Sequence, residues 1–541
     1  MKFRKRKVLH KMKNSILFFL AIILLSVTSC KSYRSEKKTS SANESIDERG
    51  YFIDGINGSD TNPGTIKKPL KTVAEVNLRI QKKTANICFA GGQTFTGRLI
   101  LNGIIGPDRS PVKIKSWGNG RAVINGGNDE AIKIENSRNI WILNLDLKGN
   151  GRNHGNKTNG LSILQSSGCK VENTNTSGFQ KSGVALYNCN HSVIRKVIAS
   201  ENGFCGINIL GSARNLSHNI LIQDCKSENN PGDPTNLDNH SGNGILVGVS
   251  DSVTIDHCTA TNNGWDMPRK GNGPVGIWAW ESDHITIQYC ISYRNKTSKN
   301  ARDGGGFDLD GGVKNSAIQY CLSYENQGAG YGLFQYAGAS YWSGNTVRYC
   351  VSINDGQTTE GSGSIFIWNG SDDVNQLTNC MIYNNVIFNS GAPLISYENA
   401  SEHKNFLFCN NIFVGSEEPI TGVFTGSSFL GNDWWNTRGV NKFMRFASLA
   451  EWAERNGQEM VKNHLAGMQL DPKFEGPMVT NITDPYKLEN LIGFKLKAES
   501  PLKNRGLDIK SIFGIEGPKE DFYGTSVSPG AGNEPGIFKM K

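Results

Sequence analysis

ILIQDCKSENN at 220–230, VTIDHCTATNN at 253–263, ITIQYCISYRN at 285–295, SAIQYCLSYEN at 316–326 and NTVRYCVSIND at 345–355 are five versions of one segment. The series Cys225, Cys258, Cys290, Cys321, Cys350, Cys380 and Cys409 advances by 33, 32, 31, 29, 30 and 29 residues. Five residues after the first six of these cysteines stand Asn230, Asn263, Asn295, Asn326, Asp355 and Asn385. A drifting period near 30 residues marks a solenoid, in which each repeat buries its apolar face only by stacking on its neighbours. Asn tolerates the left-handed conformation of tight turns, so these asparagines are expected at the bends, with their amides bonding from coil to coil.

A third marker runs in phase: GLSIL at 160–164, GVALY at 183–187, GINIL at 206–210, GILVG at 244–248, GIWAW at 276–280, GFDLD at 306–310, GLFQY at 332–336 and SIFIW at 364–368. Period-2 alternation makes each a short strand with one face inward. The chain reads as an all-β protein, a single parallel β-helix.

Composition agrees. The chain has 541 residues, 62 of them Gly, yet 37% are hydrophobic, which excludes a disordered chain. The glycines lack the strict spacing of collagen. The net charge of +9 is concentrated at the start: residues 1–29 hold seven Lys/Arg and no acid, so their removal leaves 9 − 7 = +2. A nearly neutral chain has no nucleic-acid footprint.

That basic start, the apolar run Ile16 to Leu25 and Val27-Thr28-Ser29-Cys30 read as a signal peptide over 1–29 that ends in a lipobox-like motif. Lipid on Cys30 would anchor an exported protein to a bacterial (outer) membrane, at the cell surface or periplasmic face; cleavage by an ordinary signal peptidase is the alternative. Residues 30–50 are a polar tether, 51–130 an N-terminal cap and first coils, 131–415 the β-helix core, and 416–541 C-terminal coils and a covering tail. SLAEWAERNGQEM at 448–460 adds a short helix with Ser448 as N-cap. The eleven cysteines after Cys30 lack CxxC spacing and fit a column of buried thiols better than disulfides or a metal site.

GSDTNPGTIKKPLKT (58–72), RSPVKIKSWGNGRAVING (109–126), the coil repeats and DFYGTSVSPG (521–530) resemble right-handed parallel β-helix proteins of bacterial polysaccharide utilisation, the pectate-lyase-like and polygalacturonase-like superfamily. The resemblance implies a right-handed coil and a polysaccharide or oligosaccharide substrate. It leaves the reaction open, because the superfamily holds lyases, hydrolases and epimerases.

With the leading Gly as position 1, positions 3 and 5 face outward. They carry Trp278/Trp280, Asp308/Asp310, Phe334/Tyr336 and Phe366/Trp368 on successive rungs: two aspartates among aromatic rings suited to stacking on sugars. The register has one flaw, an inward Gln335. A tail folded over the rings is the structural alternative.

Asp308 and Asp310 lie two residues apart, so their Cα atoms are roughly 6.5–7 Å apart. That fits an inverting acid/base pair better than a retaining one. Polygalacturonase-like hydrolases also keep aspartates at adjacent outward strand positions, but that family's His-Gly and Arg-x-Lys signature is not found. Asp310 before Gly311-Gly312 could instead cap a turn, and Asp303 with the pair could hold Ca²⁺, although no cofactor is required.

Loop residues Asn239, His240, Arg269, Lys270, Arg302 and Asp303, with Glu281, stand at the rim as subsite residues or bases. Hydrolysis is the leading expectation. A lyase using Arg269, Lys270, Arg302 or His240 as base is the second, and a non-catalytic glycan-binding protein the third. A monomer is expected.

Overall fold

The computed structural model describes residues 50–299, 301–399, 402–416, 418–527 and 534–539. The signal segment, the tether before residue 50 and Cys30 lie outside them. Each coil contributes three strands, as in Val275–Trp280, Thr286–Gln288 and Ile291–Tyr293. Like strands of successive coils pair in parallel, giving sheets of 12, 14 and 13 strands. We refer to them as the glycine, cysteine and asparagine sheets, after the motif that begins or follows their strands. The solenoid is a parallel β-helix, as the repeats predict.

Positions 2 and 4 of the glycine-sheet strands form the core: Ile277, Ala279, Phe307, Leu309, Ile365 and Ile367 are all essentially inaccessible. All eleven cysteines among the described residues are free and buried, which bears out the thiol column.

The asparagine ladder is continuous. Nδ2 of Asn230 donates to Oδ1 of Asn263 (2.8 Å), Asn263 to Asn295 (2.9 Å), Asn295 to Asn326 (2.9 Å) and Asn326 to Asp355 (2.8 Å). A carboxylate has no hydrogen to pass on, so Asp355 ends this run. A second run from Asn385 through Asn411 and Asn432 ends likewise on Glu459.

The expected left-handed bend is displaced by one position. The residues with φ near +50° are Asn229, Asn262, Arg294, Glu325 and Asn354, each just before a ladder residue. The ladder side chain must point into the coil to reach its neighbours, so the preceding residue makes the turn.

At the open end, the strand Gly50–Ile53 and the helix Val73–Ile80 form the cap, the helix burying Val73, Val76 and Ile80. The side chain of Asn77 occupies the free edge of the terminal strand Leu99–Asn102, accepting from Ile100 N–H (2.9 Å) and donating to the Arg98 carbonyl (2.8 Å). An unpaired edge is thereby closed.

Strands continue past the last cysteine to Asp433–Asn436. The helix Leu449–Asn456 follows, with Ser448 Oγ accepting from Glu451 N–H (3.2 Å).

The tail then folds back along the outside of the asparagine sheet and the adjoining corner. Leu488, Leu491, Phe494 and Phe522 pack there on Tyr293, Tyr320, Tyr324 and Tyr349. Tyr320 and Tyr324 donate to the Glu520 and Ile482 carbonyls. The glycine sheet's rings are not among the side chains this tail packs on.

Candidate active site

The two outward columns of the glycine sheet meet an open cleft of about 790 Å³. Trp278 pairs with Asp308, Asp308 with Gly332, and Gly332 with Phe366. In the next column Phe334 pairs with Trp368 and Trp368 with Glu398.

This corrects the register taken from GLFQY, which set Phe334 beside Asp308 and Tyr336 beside Asp310. Gly330, not Gly332, leads that rung. Gln335 therefore falls one place past the outward pair and points inward. It is fully buried and satisfied, donating to the Ser340 carbonyl (2.9 Å) and accepting from Gly312 N–H (3.1 Å). Tyr336 leaves the strand and lays its ring on Gly311, where an added Cβ would stand 2.3 Å from it.

The glycine beside Asp308 keeps the carboxyl open to the cleft. A Cβ on Gly332 would come within 3.1 Å of Asp308 Oδ1 and 2.7 Å of the Phe334 ring.

The rings divide into two kinds. Trp278, Phe334 and Phe366 are buried in two small clusters outside the main core, so they form the cleft's floor rather than free stacking platforms. Trp280, Tyr336 and Trp368 remain half-buried and line the cleft, on both sides of the aspartates.

Asp303, Asp308 and Asp310 all line this cleft. Asp303 and Asp308 also line a recess beneath it of about 20 Å³, enough for one water molecule. Asp308 is 2% exposed, and its Oδ1 has no hydrogen-bond partner. Burial, then the charges of Asp310 and Asp303, hold its carboxyl well above the usual range.

Burial also raises Asp310 to about 7, against the lowering effect of Gly311 N–H, which donates to Oδ1 at 2.7 Å; Asp303 and Glu281 add to the rise. Asp303 is raised only to about 6, because Gly273 N–H donates to Oδ2 (2.7 Å) and Arg302 and Arg269 favour its anion, opposing burial. Three carboxyls in one cleft thus lose their protons in sequence, Asp303 first.

At the rim, Arg302 forms an ion pair with Glu398 (Nη1 to Oε1 2.7 Å). Arg269 and His240 line the cleft. Two expected rim residues do not. Lys270 is exposed outside the lining, and Glu281 turns away, its Oε1 accepting from Ser340 N–H at 2.7 Å. Glu398 was missed because its strand, ISYEN at 395–399, has no leading glycine, although the outward alternation extends to it. Among the described residues no group of three or more His, Cys, Asp or Glu side chains is placed to hold a metal ion, so the expected Asp303/Asp308/Asp310 calcium trio is not assembled.

A family model described as a right-handed beta helix region matches residues 233–382, the coils that carry most of the cleft. The fold is a single right-handed parallel β-helix.

Among solved structures, a GH136 lacto-N-biosidase from Eubacterium ramulus is 15% identical over 66% of this chain and 67% of its own, with a TM-score of 0.48. A mannuronic acid-specific polysaccharide family 6 lyase from human gut microbiota is 15% identical over 68% and 84%, with a TM-score of 0.46. Pectate lyase Pel9A is 14% identical over 91% and 97%, with a TM-score of 0.43. No curated protein matches the chain.

Proposed function

We propose that this β-helix is a glycoside hydrolase acting on a plant or algal polysaccharide or its oligosaccharides, with inversion. The observation that carries the reading is the set of three aspartates with stepped proton affinities in a cleft flanked by Trp280 and Trp368.

Asp310, half-buried and protonated up to about pH 7, is the general acid that gives its proton to the leaving oxygen. Asp303, ionised above about pH 6, is the base. Asp308 stays protonated and directs its free Oδ1 at a water in the recess it shares with Asp303. The work is thus divided among three groups rather than the two that the strand spacing suggested. Trp280 and Trp368 stack on the sugars to either side.

The pH dependence follows with a definite sign. The base must be ionised and the acid protonated, so kcat/KM against a cleaved glycan should rise through about pH 6 and fall through about pH 7. A profile flat from pH 5 to 8, or one still rising above about pH 8, contradicts the assignment.

A lyase needs a base beside C5 of a uronic acid. Of the candidates, Lys270 lies outside the cleft lining and Arg302 is engaged by Glu398, which leaves Arg269. The binding-protein reading requires that replacing both Asp308 and Asp310 by Asn leave the biological effect intact.

The export reading is carried forward as part of the proposal: the chain is lipid-anchored through Cys30 at a bacterial outer membrane. Metabolic labelling with a palmitate analogue should mark the wild type and not Cys30→Ala; equal labelling of both removes the anchor.

A further inference from the structure

His240 precedes the strand Asn243–Gly248, and its ring is 8% exposed. It stands edge-on to Trp278 (centroids 4.8 Å) and beside Phe204 (5.8 Å). The side chain of Asn243 determines which ring nitrogen carries the hydrogen. Two N–H groups, the backbone of Val275 (3.3 Å) and Nε1 of Trp278 (3.1 Å), converge on one atom of that amide. Only oxygen can accept both, so the other atom is the NH₂.

The NH₂ in turn lies against two acceptors, the Phe204 carbonyl (3.2 Å) and Nδ1 of His240 (3.0 Å). Nδ1 is therefore an acceptor, and the neutral ring carries its hydrogen on Nε2. Burial, reinforced by the Arg269 charge, pushes His240 down to about 4, so the ring is uncharged at neutral pH.

Among the described residues, neither this Nε2–H nor the half-buried Arg269 guanidinium has a hydrogen-bond or ion-pair partner, and both face the cleft. Here are two unmatched donors, one of them a fixed positive charge, and a guanidinium matches the planar oxygens of an anion. A neutral imidazole adds a hydrogen bond without repelling the guanidinium.

We propose that Asn243 locks His240 as an Nε2–H donor beside Arg269, forming a subsite for an anionic oxygen group on the sugar, a uronate carboxylate or a sulfate ester. This rests on the hydrolase reading of the cleft. It also makes His240 a positioning donor that cannot abstract a proton through Nε2.

The lock and the subsite are tested separately from turnover. Nitrogen-15 NMR of labelled histidine, with the signal assigned by His240→Gln, should show the Nε2–H form from about pH 5.5 to about 8. Asn243→Asp, whose carboxylate can only accept, should move the hydrogen to Nδ1.

Calorimetry on the Asp310→Asn protein should use galacturonate and mannuronate tetrasaccharides, each beside its carboxyl-reduced twin, and a sulfated galactan tetrasaccharide beside its desulfated twin. At least one acidic member should bind about tenfold tighter than its twin, and Arg269→Met should abolish that difference; which pair responds identifies carboxylate or sulfate. An Nδ1–H ring in the wild type, or no difference within any pair, overturns the proposal. Failure of the hydrolase reading would appear elsewhere, as the absence of new reducing ends from any glycan.

Discussion

Asp310→Asn should reduce kcat/KM by about 10²- to 10⁴-fold, the usual contribution of a positioned acid, while making the protein more stable in alkaline buffer. The two effects share one cause. Burial raises the Asp310 carboxyl from 3.8 to about 7, so the folded protein holds this proton more tightly than the unfolded chain. The group therefore supports folding fully below about pH 4, and that support is lost as pH rises through about 7. Asparagine keeps the shape and never ionises. The melting temperature of the variant should match the wild type near pH 4 and exceed it at pH 8. A variant that retains activity, or that is destabilised at pH 8, contradicts the role of Asp310 as a buried acid tuned for proton transfer.

Asn295→Ala should lower unfolding free energy by about 3–6 kcal/mol, read from urea unfolding. Its Oδ1 accepts from Asn263 N–H (3.3 Å) and Nδ2 (2.9 Å), and its Nδ2 donates to Ser292 Oγ (3.0 Å) and Asn326 Oδ1 (2.9 Å). Alanine strips partners from at least three groups in a dry interior, at roughly 1–3 kcal/mol each. The neighbouring coils are held apart by their own strand pairing, so the gap cannot simply collapse. A loss below about 1 kcal/mol would mean that the amide column adds little to what strand pairing already supplies.

The coil architecture was legible because its marks repeat. Cysteine, asparagine and glycine columns each obey a single spacing, and a buried thiol or a stacked amide tolerates few substitutes. The site was legible in part for the same reason: parity along the glycine strands placed Asp308, Asp310, Trp280 and Trp368 outward on one wall. What parity could not supply was register across coils. Gly330 and Gly332 both fit a leading glycine, and only the inward Gln335 signalled that the wrong one had been chosen.

Depth was also hidden. Trp278, Phe334 and Phe366 face outward yet are buried by loops whose course no local pattern encodes. Asn243, which sets the state of His240, looked like an ordinary residue before a strand, because its role arises from Val275 and Trp278 a coil away.

Mass spectrometry of the fragments released from a cleaved polysaccharide tests the reaction most directly. Hydrolysis predicts pieces that together weigh one water more than the parent per cut, each with a saturated end, and no release by the Asp308→Asn, Asp310→Asn double variant. Fragments summing to the parent mass and carrying an unsaturated, ultraviolet-absorbing end would contradict the account.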